Sequence, residues 1–225
     1  MMISKGKSAA CGTEKGVQDR LLDSAEELFC ERGFEGTSVR DIAASAGCNV
    51  AAVNYYFGGK DKLYEEVWRR HLIPLRDARI AGIDKIFSRG EGQYTLDDLL
   101  KTFAETLIGP LVEASRASRL SRLTARECIE QHLPIRMFAD EVMKPTMNTM
   151  RTALLQTCPD LEESRIPLII FSLVGQLIHV VHLRAMFERG GKDLDIPMID
   201  VAKAIDHIVK FSAAGIRAYA EGKIT

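Results

Sequence analysis

Two short helical patterns joined by a glycine-led turn, within TSVRDIAASAGCNVAAVNYYFGGKDKL from Thr37 to Leu63, constrain this chain more than any other stretch. Thr37 and Ser38 are both helix-capping residues. Asp41 stands three positions after Ser38, the spacing at which hydroxyl and carboxylate cap each other's backbone, so a helix should begin there. Val39, Ile42, Ala43 and Ala46 then share one face. Gly47 ends the helix because the residue past a C-terminus often takes the left-handed conformation. Asn49 can cap a second helix of about two turns, Val50 to Phe57. Val53 and Phe57, four apart, face inward and leave Val50, Ala51, Ala52 and Asn54 outward. A short helix with a small outward face suits the DNA major groove. Gly58 and Gly59 break the chain, and Lys60 opens the next helix, where its charge and free backbone N–H groups can meet a phosphate.

Side-chain chemistry sets the expected contacts with double-stranded DNA. Arg40 can bond guanine through two hydrogen bonds, Asn54 can pair with adenine, and Ala51 and Ala52 can pack on thymine methyls. Thr37, Tyr55, Tyr56 and Lys60 are expected on phosphates, and Ser38, Asn49 and Val50 complete the expected interface. These residues carry a family likeness. Gln18 to Leu63 resembles the DNA-binding domain of TetR/AcrR-type transcriptional regulators: LFCERGFEGTSVRDIAASAG is similar to the family's first two helices, and NVAAVNYYFGGKDKLY to its recognition helix and the glycine-lysine turn. Leu123-Thr124-Ala125-Arg126-Glu127 downstream is similar to the CecR-like subgroup. The resemblance implies repression as the usual activity, and a homodimer whose last two helices from each subunit form a four-helix interface.

The net charge of −1 does not announce a nucleic-acid binder, and acidic and basic residues nearly balance up to Lys62. Asp23, Glu26, Glu27 and Glu31 crowd the first helix, however, whereas Asn49 to Lys60 holds no carboxylate, so local sign must do the steering. Cys11, Cys30, Cys48, Cys128 and Cys158 are scattered without metal or redox spacing, which fits reduced thiols in the cytoplasm. Met1 to Lys15 has no long apolar run and is expected to be a flexible tail rather than a signal peptide.

The remaining chain is helical in pattern, without a convincing strand. The expected fold is all-α: a three-helix helix-turn-helix domain over residues 16–62 after the tail at 1–15, and a larger helical regulatory, ligand-binding and dimerisation domain over 63–225. Val17, Leu21, Leu22, Ala25, Leu28 and Phe29 form the first helix's stripe, and Gly33 stops it. The fourth helix should kink or stop at Pro74, with Tyr64, Val67 and Trp68 packed on the regulatory body. Ser88 to Tyr94 reads as a loop. Helices follow over Leu96 to Ala114, bent or divided at Pro110, then Ser118 to His132, Pro134 to about Thr157, Glu162 to Arg189 and Pro197 to Glu221. The run from Ile166 to Leu183 is 18 residues long, close to the roughly 20 of a membrane span. Pro167, Gln176, His179 and His182 interrupt it, so a helix buried in a protein assembly is preferred and no membrane is expected.

A small-molecule effector would sit between the Leu96 to Thr157 helices and the helix carrying Gln176. Leu123, Arg126, Glu127, Met137, Phe138, Phe171, Gln176 and His179 are its expected lining. Other readings stand beside this one. Ser172, Gln176 and His179 share a face that could instead be a dimer seam or satisfied core; Arg126 and Glu127 could be an ion-paired surface; the methionines could be plain core. No phosphate loop, nucleophile elbow or H-E-x-x-H appears, so an enzyme is not expected. The alternative is a helical enzyme or metal-binding protein using His179 and His182 with an incidental helix-turn-helix. No cofactor is expected.

Overall fold

The computed structural model describes residues 16–90, 92–112, 117–190 and 199–224, and every regular element among them is helical. The expected tail, Cys11, Gly191 and Pro197 lie outside these residues. Two compact units divide the chain between Val67 and Trp68.

The first unit holds α1 (Val17–Arg32), α2 (Val39–Ser45), α3 (Val50–Phe57) and the opening turns of α4 (Lys60–Phe87). Leu21, Ala25 and Phe29 from α1 meet Ile42, Val53, Leu63 and Val67 in a fully buried core. Apolar residues at helical spacing on three short helices have nowhere else to leave water. Tyr64 completes this core, its ring edge-on to Phe29 at 4.8 Å and to Phe34 at 4.9 Å. Tyr64 and Val67 therefore belong to the first unit, not to the regulatory body that the sequence suggested for them.

The second unit begins within α4, which passes Pro74 without stopping. Proline removes one backbone hydrogen bond, back to residue 70, and a helix of 28 residues tolerates that loss. α5 (Leu96–Val112) likewise continues past Pro110, which falls in its last turn. α6 (Ala117–Glu130) follows. The expected helix from Pro134 is three joined pieces: α7 (Ile135–Met137), a π-helical stretch (Phe138–Met143) and α8 (Lys144–Thr157). After a 3₁₀ turn at Glu163–Arg165 come α9 (Ile166–Gly190) and α10 (Val201–Ala220), the latter capped by the Asp200 carboxylate, which accepts from the Ala202 and Lys203 N–H groups.

One apolar core joins α5, α8, α9 and α10. Leu99, Leu100 and Phe103 pack with Met150 and Leu154, with Ile170, Leu173 and Leu177, and with Val209, Ala213 and Ile216. At its edge Arg217 pairs with Asp97, and the Arg165 guanidinium lies 4.7 Å from the centre of the Tyr219 ring.

Candidate nucleic-acid interface

Ser38 and Asp41 make the reciprocal cap their spacing implies. The Asp41 N–H donates to Ser38 Oγ at 3.1 Å, and the Ser38 N–H donates to Asp41 Oδ2 at 3.0 Å. The Ser38 hydroxyl, then its backbone, hold the Asp41 carboxyl below the usual carboxylate range. Gly47 has φ 63°, and the Cys48 N–H reaches Ala43 O at 2.8 Å while the Gly47 N–H reaches Ala44 O at 3.2 Å. Those paired bonds close α2 in a Schellman motif. Arg20 of α1 donates through Nε to Ala46 O at 3.3 Å, tying the turn to the helix behind it. Periodicity did not reveal that tie, because a polar residue beside an apolar stripe has no distinctive spacing.

Asn49 caps α3 by accepting from the Ala51 N–H at 2.9 Å. Val53 and Phe57 are buried; Val50, Ala51, Asn54, Tyr55 and Tyr56 are exposed, and Ala52 is half-exposed. Tyr55 is 83 % exposed, with its ring edge-on to Tyr56 at 5.0 Å. Arg40 is exposed on α2. The Lys60 ammonium rests 4.1 Å from the centre of the Phe34 ring, a cation–π contact that fixes a positive charge just beyond α3.

Thr37 requires a correction. It is only 1 % exposed, and its hydroxyl donates to Gly33 O at 2.8 Å and Leu28 O at 3.2 Å. With Ser38 serving as the cap, Thr37 turns inward to satisfy carbonyls at the end of α1, leaving no hydroxyl for a phosphate.

In the second unit the expected effector residues separate. Leu123 and Met137 are buried, and Phe138 is half-buried. Arg126 pairs with Glu130 at 3.3 Å, and the Glu127 carboxylate accepts from the Leu133 N–H across the bend where Gln131 has φ 54°. Phe171 and His179 are exposed, and Gln176 bonds back to Ser172 of its own helix at 3.2 Å. The inward row of α9 is instead Ile166, Ile170, Leu173 and Leu177. Phe171, Gln176 and His179 thus do not join Leu123 and Met137 around an interior of this chain. Nor are Ser172, Gln176 and His179 satisfied core.

Polar residues that the sequence reading passed over lie on α4. Arg69 grips the Glu141 carboxylate through Nε at 2.8 Å and Nη2 at 2.7 Å, and Arg76 donates to Glu141 O at 2.6 Å. Arg79 is buried, in helical register with Ile83 and Ile86. A charge occupying one position of an apolar i, i+4, i+7 row was the available signal.

Comparison with known proteins bears on both units. The family model for bacterial regulatory proteins of the tetR family matches residues 21–67, and that for the tetracyclin repressor-like C-terminal domain matches residues 105–215. The chain belongs to the TetR family. Among curated relatives, this TetR-family chain is 52 % identical over 51 residues to the probable HTH-type transcriptional regulator YttP of Bacillus subtilis, covering 23 % of this chain and 25 % of that protein. It is 33 % identical over 98 residues to the HTH-type transcriptional repressor KstR2 of Rhodococcus jostii, covering 42 % and 45 %. The chain thus spans from a quarter to less than half the length of these relatives. Its fold is that of a putative tetR-family regulator from Mesorhizobium loti, with TM-score 0.60 and 18 % identity over 90 % of this chain and 95 % of that one. It is also that of a putative transcriptional regulator from Pseudomonas aeruginosa PAO1, with TM-score 0.62 and 16 % identity over 92 % and 93 %.

Proposed function

We propose that this TetR-family chain is a cytoplasmic homodimeric repressor that reads a palindromic operator through α2 and α3 and releases it on binding a small amphipathic effector. The observation that carries the DNA half is the outward face of α3: Val50, Ala51, Asn54, Tyr55 and Tyr56 stand in solvent without a carboxylate, beside a fixed Lys60 charge. Such a face can enter a groove without repelling phosphates. The name of the Rhodococcus relative, a repressor, supports the sign of regulation.

The dimer half rests on exposed apolar side chains on the last two helices. Leu168 is 73 % exposed, Phe171 51 % and Phe211 66 %. Glu163–Glu188 is long and apolar enough to cross a membrane by length and composition. Gln176, His179 and His182 would be costly in lipid, and exposed Phe211 continues the apolar surface onto α10, so a second copy is the better cover. A twofold pairing would present two copies of α3 to two half-sites. The effector acts only through a difference in affinity between the DNA-competent and DNA-incompetent shapes. The likeness of Leu123 to Glu127 to the CecR-like subgroup remains part of this reading. Selection of oligonucleotides by the purified protein tests it: recovery of a palindrome supports class and symmetry together, whereas an asymmetric site or no enrichment overturns it.

A further inference from the structure

Arg79 is 8 % exposed, and its Nε is buried without a hydrogen-bond partner. Its neighbours on α4 are engaged: Arg69 with the Glu141 carboxylate, Arg76 with Asp77 and the Glu141 carbonyl. No acid among the described residues offsets Arg79, and burial alone pushes its pKa down to about 10. A buried cation without a counter-ion works against folding, and buried polar groups normally find partners. An arginine kept in that condition is suited to a partner that arrives from outside.

The packing of α4 on α5 is close at one point and open further along α5. Gly82 presses against α5, where a Cβ would lie 3.1 Å from Thr102 Cγ2 and 3.4 Å from Thr106 Cγ2. The Phe87 ring at the end of α4 lies 5.1 Å from that of Tyr94, just ahead of α5, and Gly82 meets Thr102 and Thr106, so α5 runs back along α4. Arg79, one turn before Gly82, therefore falls level with Thr106 to Pro110. Gly109 continues the row of Thr102 and Thr106 at i, i+4 and i+7. A Cβ at Gly109 would meet nothing within 4 Å. Contact between α4 and α5 is thus tight at Gly82, while space stands open beside Gly109.

We propose that the open space beside Gly109 is the headgroup end of the effector site, and that Arg79 binds the carboxylate of an amphipathic organic acid. The inference rests on reading the chain as effector-responsive. A guanidinium matches a carboxylate with two parallel hydrogen bonds. One cation balances one monoanion; a phosphate dianion would need further donors. The apolar tail would meet Leu120 and Leu123, buried on α6, which packs on α5.

The test uses the full chain and three probes of equal length below their micelle-forming concentrations: decanoate, 1-decanol and decyltrimethylammonium. Calorimetry should give decanoate about tenfold tighter binding than decanol or more, the scale of one charge-assisted contact, with the cation weakest. Arg79→Met should erase the preference for the acid while binding decanol as the wild type does, and Arg79→Lys should keep part of it. Without ligand, Arg79→Met should melt at or above the wild type, since the uncompensated charge is gone. Failure of decanoate to bind more tightly than decanol, a preference surviving in Arg79→Met, or a ligand-free Arg79→Met melting well below wild type would each overturn the assignment. Operator binding on the same samples separates the two readings. Equal release by acid and alcohol leaves the regulator and removes the anchor; acid-selective binding without any change in operator affinity leaves the anchor and removes the effector role.

Discussion

Lys60, Arg40 and Thr37 belong to one short stretch of sequence yet stand in three different settings: over an aromatic ring, in solvent, and buried. Lys60 offers a point charge held by Phe34, so Lys60→Ala should weaken binding to all DNA sequences alike. The slope of log affinity against log salt should fall by about one unit. Arg40→Ala should instead relax base preference, costing about 1–3 kcal/mol at one position. Anisotropy titrations across salt and operator variants distinguish these outcomes, and the reverse pattern would exchange the two roles. Thr37→Val should leave the operator affinity of folded protein unchanged and cost about 1 kcal/mol of stability, because its hydroxyl serves the carbonyls of Leu28 in α1 and of Gly33 just past its end. Sequence type could not separate Thr37 from Ser38, as both are good caps. Only the spacing to Asp41 favoured Ser38, and the loser of that competition turned inward.

At the scale of elements, the caps were the most legible feature and the interruptions the least. Ser38, Gly47, Asn49 and Gly58 fulfil their expected roles because capping depends on a few adjacent residues. Gly47 stands at φ 63° with open space about its Cβ position. Gly47→Ala should therefore cost only the left-handed penalty, about 1–2 kcal/mol, and Gly47→Asn less; urea unfolding measures both. The courses of α4 and α5 through their prolines were not legible, since whether a helix survives a lost hydrogen bond depends on what packs along it. The grip of Arg69 on Glu141 crosses 72 positions of sequence, beyond the reach of any local pattern. The Arg69 hydrogen bonds hold the Glu141 carboxyl below its ordinary range. A depressed carboxylate contributes stability above its unfolded value and loses that contribution as pH falls through the folded one. Glu141→Gln should accordingly flatten the acid limb of stability against pH, seen as a smaller difference in melting temperature between neutral and acidic buffer.

For the whole molecule, the all-helical class, with a helix-turn-helix part ahead of a helical remainder, could be read from the capping signals and the helical periodicity. Which face of α9 turns inward could not. A helix apolar almost all round gives no period to follow, so Phe171 and His179 were assigned to an interior they do not enter. Exposure decides the choice of dimer-breaking substitutions. Ile205 is partly buried against the chain's own core, so a charge there would confound folding with association. Phe211→Glu and Leu168→Glu alter exposed positions instead. Each should leave the circular dichroism of the helices unchanged, shift sedimentation to the monomer, and reduce operator affinity because two linked readers gain from one another. Monomeric sedimentation of the wild type at concentrations where it binds operator would remove the dimer from the account.

The π-helical stretch between α7 and α8 also bears on how this chain tolerates gain and loss of residues. Inward positions along this segment run Met137, Val142, Thr146, Met150 and Leu154. The first step is five residues and the rest are four, so one residue more than an α-helix needs is stored in a single wide turn. Deleting exposed Asp140 would shorten that step to four and return the segment to plain α-helix, with Met137 and Met150 still facing the core. A deletion of one residue in the middle of α8, such as Asn148, has no wide turn to absorb it and would rotate Met150 away by about 100°, the angle per residue of a helix with 3.6 residues per turn. An alignment gap among the helices of this unit should fall between Phe138 and Met143, and length variation placed there is compatible with an unchanged core.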